Sequence, residues 1–255
     1  MSSTYSDLNG RVVFITGGSR GIGAQTARAF AAQSAKVAVA GRDRAALDSV
    51  VAEITGKGGT AIAVVADVTD SAALQDARRQ TEERLGPVDV LAAFAGGQGF
   101  PVPTAELTEE RWRQVIDSDL TSAFLTIRTF LPGMIERGRG SIITMSSAAG
   151  RQPSQANLAY GVANAGLVML TRHLAAEVGP QGIRVNAIAP SSIATEKVLA
   201  NMPPDMQTKV AGMHPLRRLG TPDDVAQTAL FLASDAAASW LTGLTIDVAG
   251  GRITN

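Results

Sequence analysis

Seven short apolar runs recur along the chain, at 11–16, 36–40, 61–66, 88–95, 140–146, 183–189 and 244–248. Longer stretches of helical periodicity lie between them, near 22–34, 43–56, 71–85, 108–137, 158–179 and 222–234. Short strand, long helix, short strand at this spacing implies right-handed crossovers and a parallel sheet. The pattern therefore predicts an α/β fold: a doubly wound parallel sheet of about seven strands, in a single domain spanning 1–255. No internal repeat, low-complexity tract or linker interrupts it.

One segment breaks the rhythm. Between Pro190 and Thr221 the pattern is irregular, with Pro203-Pro204 in the middle and Met202, Met206 and Met213 beside Val198, Leu199 and Val210. It follows the C-terminal end of a predicted strand, where ligands bind in such sheets. A mobile, Met-rich flap over an apolar pocket, at 191–215, would look like this. Two short surface helices with a small core of their own would look the same.

Composition narrows the picture. Hydrophobic residues make up 45% of the 255 and aromatics only 4%, so the core must be built from Val, Ile, Leu and Ala. That suits strands covered on both faces by helices. Lys and Arg balance Asp and Glu at 23 each, and no basic run tracks a phosphate backbone, which argues against nucleic acid as a partner. With no cysteine, disulfides, thiolate catalysis and Cys-built metal sites are excluded. His173 and His214 lie far apart in sequence, so no metal is expected. No run reaches the roughly 18 apolar residues of a membrane helix, and Met1 to Arg11 lacks a signal-type apolar core. The expectation is a protein of the cytoplasm that makes no contact with a membrane.

The first strand runs straight into Thr16-Gly17-Gly18-Ser19-Arg20-Gly21-Ile22-Gly23, and a helix opens there. This is the context a phosphate-binding turn requires. Gly17 permits the tight turn, Gly21 lets the backbone approach a pyrophosphate, and Gly23 lets helix and strand pack closely. The helix N-terminus then offers free N–H groups and a partial positive charge.

The Gly-x3-Gly-x-Gly spacing resembles that of the short-chain dehydrogenase/reductase family. So do Asp67-Val68 after the third strand, Ser147 with Tyr160 thirteen residues on, Asn186-Ala187-Ile188-Ala189-Pro190, and the closing Gly250-Gly251. The resemblance covers nearly the whole chain. It implies a nicotinamide dinucleotide held by Gly17, Ser19, Arg20, Gly21, Ile22 and Gly23. It places Asp67 and Val68 at the adenine, Ala95 and Gly96 along the cofactor, and Pro190, Ile193 and Thr195 at the nicotinamide end. Simpler roles are open too: a strand cap for Asp67, a helix N-cap for Thr195, core packing for Ile193. It also implies a homotetramer or homodimer in which helices 108–137 and 158–179 meet their own copies, with Ala163, Ala165 and Gly166 allowing close approach.

NAD-preferring members carry an acid at the end of the second strand. This chain has Gly41 there, followed by Arg42. A guanidinium grips a 2′-phosphate that a carboxylate would repel, and Arg20 can flank the same group. The expected cofactor is NADP (NADPH).

The family's reaction centre joins a Ser, a Tyr and a Lys, with an Asn behind them. Ser147 and Tyr160 match, with Tyr160 passing a proton to or from the substrate oxygen and Ser147 orienting that oxygen. The Lys of Tyr-x-x-x-Lys is replaced by Asn164. Asp119 stands where the family has Asn, and Ala93-Phe94-Ala95-Gly96 lacks the Asn that usually precedes Ala-Gly. A free Tyr has a pKa near 10. With no ammonium beside it and Asp119 close by, the phenolate is disfavoured. Alcohol oxidation should suffer most and carbonyl reduction least.

Three readings follow. The chain is a reductase whose proton relay is rebuilt around Tyr160, Asn164 and Asp119; or a relative doing non-redox chemistry such as cyclisation, dehydration or isomerisation; or an inactive subunit. The Gly97-Gln98-Gly99-Phe100-Pro101 loop and the flap predict an apolar small-molecule carbonyl substrate, such as a ketone or an acyl group.

Overall fold

Five consecutive buried residues form strand β1, Val12–Thr16. In the computed structural model, which describes residues 4–253, β1 is an inner strand of a seven-stranded parallel sheet. The other strands are β2 (Lys36–Gly41), β3 (Thr60–Val65), β4 (Val90–Ala93), β5 (Gly140–Met145), β6 (Ile183–Pro190) and β7 (Thr245–Val248). Their spatial order is β3-β2-β1-β4-β5-β6-β7. The order reverses between β1 and β4, and ligands of such sheets bind outside the strand C-termini at that reversal.

The helices are α1 (Gly21–Ala32), α2 (Arg44–Gly56), α3 (Ser71–Leu85), α4 (Glu109–Ile116), α5 (Ser122–Arg137), α6 (Leu158–Val178), α7 (Glu196–Asn201), α8 (Pro204–Gly212), α9 (Pro222–Ala233) and α10 (Asp235–Ala238). Side-chain caps set many of the starts. Asp43 accepts from the Ala46 N–H, Asp70 from Ala72, Thr108 from Arg111 and Asn157 from Tyr160. Thr221 and Asp224 form a reciprocal capping box on α9. Such caps satisfy N–H groups that the first turn leaves unpaired.

Helices α1, α2 and α9 bury Phe30, Leu47, Ile54 and Leu230 against one face of the sheet. Helices α3, α5 and α6 bury Ala77, Phe130, Met134 and Val178 against the other. Phe14 and Phe130 stack with ring centroids 4.4 Å apart. The scarcity of aromatics is thus met by an aliphatic core on both faces.

Two expectations are corrected. The fourth strand, read as 88–95, closes at Ala93, because the N–H groups of Phe94 and Ala95 leave the ladder and donate to Thr16 Oγ1, at 2.9 and 3.1 Å. Gly96 and Gly97 then turn the chain with φ of +138° and +97°, where a Cβ would be strained. The helix read at 108–137 is interrupted by a wide π turn, Asp117–Thr121, in which the Ser122 N–H reaches back to the Asp117 carbonyl.

The irregular stretch folds as α7 and α8, neither of which has a buried residue. Leu199, Met206 and Met213 are exposed. The alternative of two surface helices with a private core therefore lacks its core.

Candidate active site

The glycine turn between β1 and α1 is as tight as its sequence implies. A Cβ on Gly17 would lie 2.9 Å from the Phe94 carbonyl oxygen, and one on Gly23 would lie 2.2 Å from that of Gly17. Gly21, at φ +53°, faces Thr195, whose Cγ2 would be 3.2 Å from a Cβ there. The turn and the start of α7 thus lie directly against each other. Thr195 caps α7 by accepting from the Val198 N–H at 3.3 Å. Ile193 is buried and bridges Gly220. Asp67 folds its carboxylate onto Thr69, accepting from the N–H at 2.9 Å and from the hydroxyl at 2.7 Å. Thr195 is thus an N-cap and Ile193 a core residue, while Asp67 closes its own turn and caps no strand.

At the end of β2, a Cβ on Gly41 would find only ordinary contacts, 3.7 Å from Ser19 Oγ and from Leu47. Glycine is not sterically required there, so an acid would fit and is absent. The two guanidiniums are not free as the sequence suggested. Arg20 pairs with Asp43, and Arg42 stands 3.9 Å from Asp67.

Ser147 follows β5 and caps a short turn by accepting from the Ala149 N–H. Tyr160 lies in the first turn of α6, and Asn164 one turn on. Ser147 and Asn164 both favour the ionised form of the Tyr160 hydroxyl, against its burial. Asn164 is buried, and its Nδ2 also donates to the Tyr160 carbonyl at 2.9 Å. Asp119, in the π turn, is buried as well. One of its oxygens accepts from the Gly97 N–H at 3.0 Å and the Gln98 N–H at 3.4 Å, and the other from the Ser118 hydroxyl. The four residues read as a reaction centre therefore meet at one place, beside the sheet reversal.

Electrostatics follow from this packing. Burial pushes the Tyr160 phenol above its ordinary range, and the Asp119 charge pushes the same way, against hydrogen bonds from Ser147 and Asn164. Burial also raises the Asp119 carboxyl, against the hydrogen bonds from Ser118, Gly97 and Gln98.

Several residues at the site escaped the sequence reading. Thr16 pins the turn after β4, and Arg111 donates to Gln98 Oε1 at 3.1 Å. Lys197 donates to the Gly97 carbonyl at 3.5 Å and lies 5.2 Å from the Phe100 ring centre. Asn157 ties three backbone groups together. Its spacing before Tyr160 is an N-cap signal that could have been noticed. Of the small residues expected to meet a second copy, Ala163 is buried and a Cβ on Gly166 would strike Leu120 of the same chain at 2.9 Å, while Ala165 is exposed.

A fold of this order with this site defines a class, the nicotinamide-dependent oxidoreductases built on one doubly wound sheet. A family model described as "Enoyl-(Acyl carrier protein) reductase" matches residues 17–252. The chain belongs to the short-chain dehydrogenase/reductase family. It is 39% identical over 250 residues to a 3-oxoacyl-[acyl-carrier-protein] reductase of Synechocystis sp., covering 96% of this chain and 98% of that one. It is 38% identical over 231 residues to a protein of Xanthobacter autotrophicus named inactive 2-(S)-hydroxypropyl-CoM dehydrogenase 2, covering 88% and 98%. A solved 3-oxoacyl-[acyl-carrier protein] reductase from Brucella melitensis with bound NAD superposes with a TM-score of 0.89 at 37% identity, covering 100% and 98%.

Proposed function

We propose that the chain is an NADPH-dependent carbonyl reductase in which Tyr160 protonates the oxygen of an apolar ketone or 3-oxoacyl-like substrate. The observation that carries this reading is the meeting of Tyr160 with Ser147, Asn164 and Asp119 beside the point where the strand order reverses. Burial and the Asp119 charge both favour the protonated phenol, which is the form a reductase needs as its acid.

The cofactor fits the residues present. The turn from Gly17 through Ser19, Gly21, Ile22 and Gly23 would hold the pyrophosphate at the N-terminus of α1. Arg42 and Arg20, beside an open Gly41, would take the 2′-phosphate. Asp67 and Val68 would border the adenine, with Ala95 and Gly96 along the middle. Tyr160 and Asn164 would meet the nicotinamide ribose, and Pro190, Ile193 and Thr195 the carboxamide. NADPH, when bound, supplies the hydride.

The remaining work falls to the chain. Ser147 holds the substrate oxygen by its hydroxyl. Tyr160 donates its proton to that oxygen, giving the alcohol, and recovers a proton from solvent. Asn164 supports the hydroxyl by a hydrogen bond without a charge. The exposed apolar side chains of 191–215 suit a lid over an apolar substrate. The 3-oxoacyl substrates named for the Synechocystis and Brucella proteins are of the class proposed. The protein is proposed to act in the cytoplasm as a homotetramer or homodimer.

A second reading, a subunit that binds cofactor without turning over, draws on the uncharged Asn164 and on the Xanthobacter relative. One experiment separates the two: NADPH consumption against a panel of ketones and 3-oxoacyl thioesters, beside a cofactor titration. Turnover that disappears in Tyr160→Phe while NADPH still binds is the expected result. Bound NADPH with no turnover of any carbonyl refutes the reductase and leaves the relative doing non-redox chemistry and the silent subunit.

A further inference from the structure

The backbone after β4 lies across the Tyr160 ring. Gly96 and Gly97 swing the chain back, and Gly99 settles on the ring so closely that a Cβ there would be 3.1 Å from both Cδ1 and Cε1. Residues 97–100 thus form a strap over the phenol. A strand end of two glycines does not hold such a position by itself, because glycine backbone is the most freely mobile of any residue.

Two buried side chains hold it. Asp119 accepts from the N–H groups of Gly97 and Gln98 on one side. Asn157, 1% exposed, holds the other. Its Nδ2 donates to the carbonyls of Gln98 and Phe100, at 2.8 and 2.9 Å. Its Oδ1 accepts from the Tyr160 N–H at 2.9 Å. The same amide therefore caps α6 at Tyr160 and grips the strap that covers Tyr160. The arrangement needs one acceptor and two donors on a short side chain, which asparagine alone supplies. Aspartate would keep the cap but turn lone pairs toward two carbonyls. Serine would keep the cap and lose the strap.

We propose that Asn157 is a positioning residue for the Tyr160 acid: by binding the 97–100 strap to the first turn of α6, it fixes the ring and keeps water from it. This rests on the reading of Tyr160 as proton donor, but its physical core does not depend on turnover. With the strap released, water reaches the ring, the desolvation that disfavours the phenolate falls, and the hydroxyl loses its fixed aim at the substrate oxygen.

The test uses the fact that the chain has two tyrosines, Tyr5 and Tyr160. In a Tyr5→Phe background, the ultraviolet difference spectrum on raising pH reads Tyr160 alone. Asn157→Ser is expected to ionise Tyr160 at lower pH than the parent. It should also lower kcat for carbonyl reduction on the order of a hundredfold, as a small misplacement of a reacting group does, with NADPH affinity unchanged. Gly99→Ala lifts the strap from the other side without touching the cap, and is expected to shift the titration the same way. It carries the measurement if Asn157→Ser does not melt cooperatively. A Tyr160 titration identical to the parent in the folded variants overturns the proposal, even if kcat has fallen. If the parent turns over no carbonyl, the reductase reading fails, while the titration still decides whether Asn157 controls the phenol.

Discussion

Arg42→Ala is expected to weaken NADPH binding about tenfold and to leave NADH binding nearly unchanged. The magnitude follows from the surroundings of Arg42. Its side chain is 79% exposed and its nearest anionic neighbour is Asp67, 3.9 Å away. An ion pair at about 4 Å in water is worth about 1 kcal/mol, and less in salt. A hydrogen bond to a charged partner contributes about 1.5–3 kcal/mol. Turning the guanidinium from Asp67 to a 2′-phosphate therefore yields about 1–2 kcal/mol, and 1.4 kcal/mol is tenfold in affinity. Arg20 acts differently. It neutralises Asp43, whose carboxyl is held below its usual range chiefly by the Ala46 N–H, with Arg20 adding to this. Arg20→Ala would uncover that carboxylate at the same rim, and should harm NADPH more than NADH. Titration of each reduced cofactor by its fluorescence, at low and high salt, measures all of this. Equal losses for both cofactors, or tighter NADH binding by the unaltered protein, would refute the assignment of the 2′-phosphate to these arginines.

The remaining predictions concern the proton site and assembly. Asn164→Lys should raise the rate of carbonyl turnover by part of the roughly 10²–10⁴ that acid–base groups supply; steady-state kinetics showing no gain would mean that the new ammonium is spent on Asp119. Asp119→Asn should raise the melting temperature near neutral pH more than under acid conditions: burial lifts the Asp119 carboxyl in the folded state, so its favourable contribution is present below the unfolded pKa of about 3.9 and is lost as pH rises through the folded value. Calorimetry showing the same gain at both ends would contradict it. Leu158, Val162 and Met169 leave an exposed apolar stripe on α6, and Phe124 is exposed on α5; Met169→Glu should shift the protein toward monomer in light scattering, and a monomeric unaltered chain at micromolar concentration would refute the assembly.

The alternation of strand and helix was legible because each element carries its own period. So were the glycine turn and the pairing of Ser147 with Tyr160, since both depend on local spacing. The early end of β4 was not, because it depends on Thr16, a residue 78 positions away that diverts the Phe94 N–H. The partners of Arg20 and Arg42 were hidden for the same reason. The π turn was also invisible: Asp117–Thr121 keeps a helical pattern, and the extra residue shows only in which carbonyl the Ser122 N–H finds. Ala163 and Gly166 illustrate a different failure. Small residues permit close packing, but sequence does not say whether the neighbour is a second copy or, as for Gly166, Leu120 of the same chain.

The frame around Asn164 bears on what an uncharged side chain does at this place. A Cβ on Gly150 would lie 2.5 Å from the Asn164 carbonyl carbon, so the turn after β5 is pressed against α6 at this point. Ser146 donates to the Asn164 carbonyl at 2.9 Å from the same side. The backbone is thus fixed by contacts that do not involve the side chain, and exchanging asparagine for lysine here would alter charge while the frame stays. An uncharged amide in that place leaves Tyr160 facing Asp119, whose charge is offset only in part by Arg111. Both then gain by holding a proton: the phenol stays protonated, but it is a weaker acid than it would be beside a cation, which is why Asn164→Lys is expected to help. The same shift bears on both directions: protonation of a substrate oxygen draws on a weak acid, and alcohol oxidation on a phenolate that Asp119 and burial oppose.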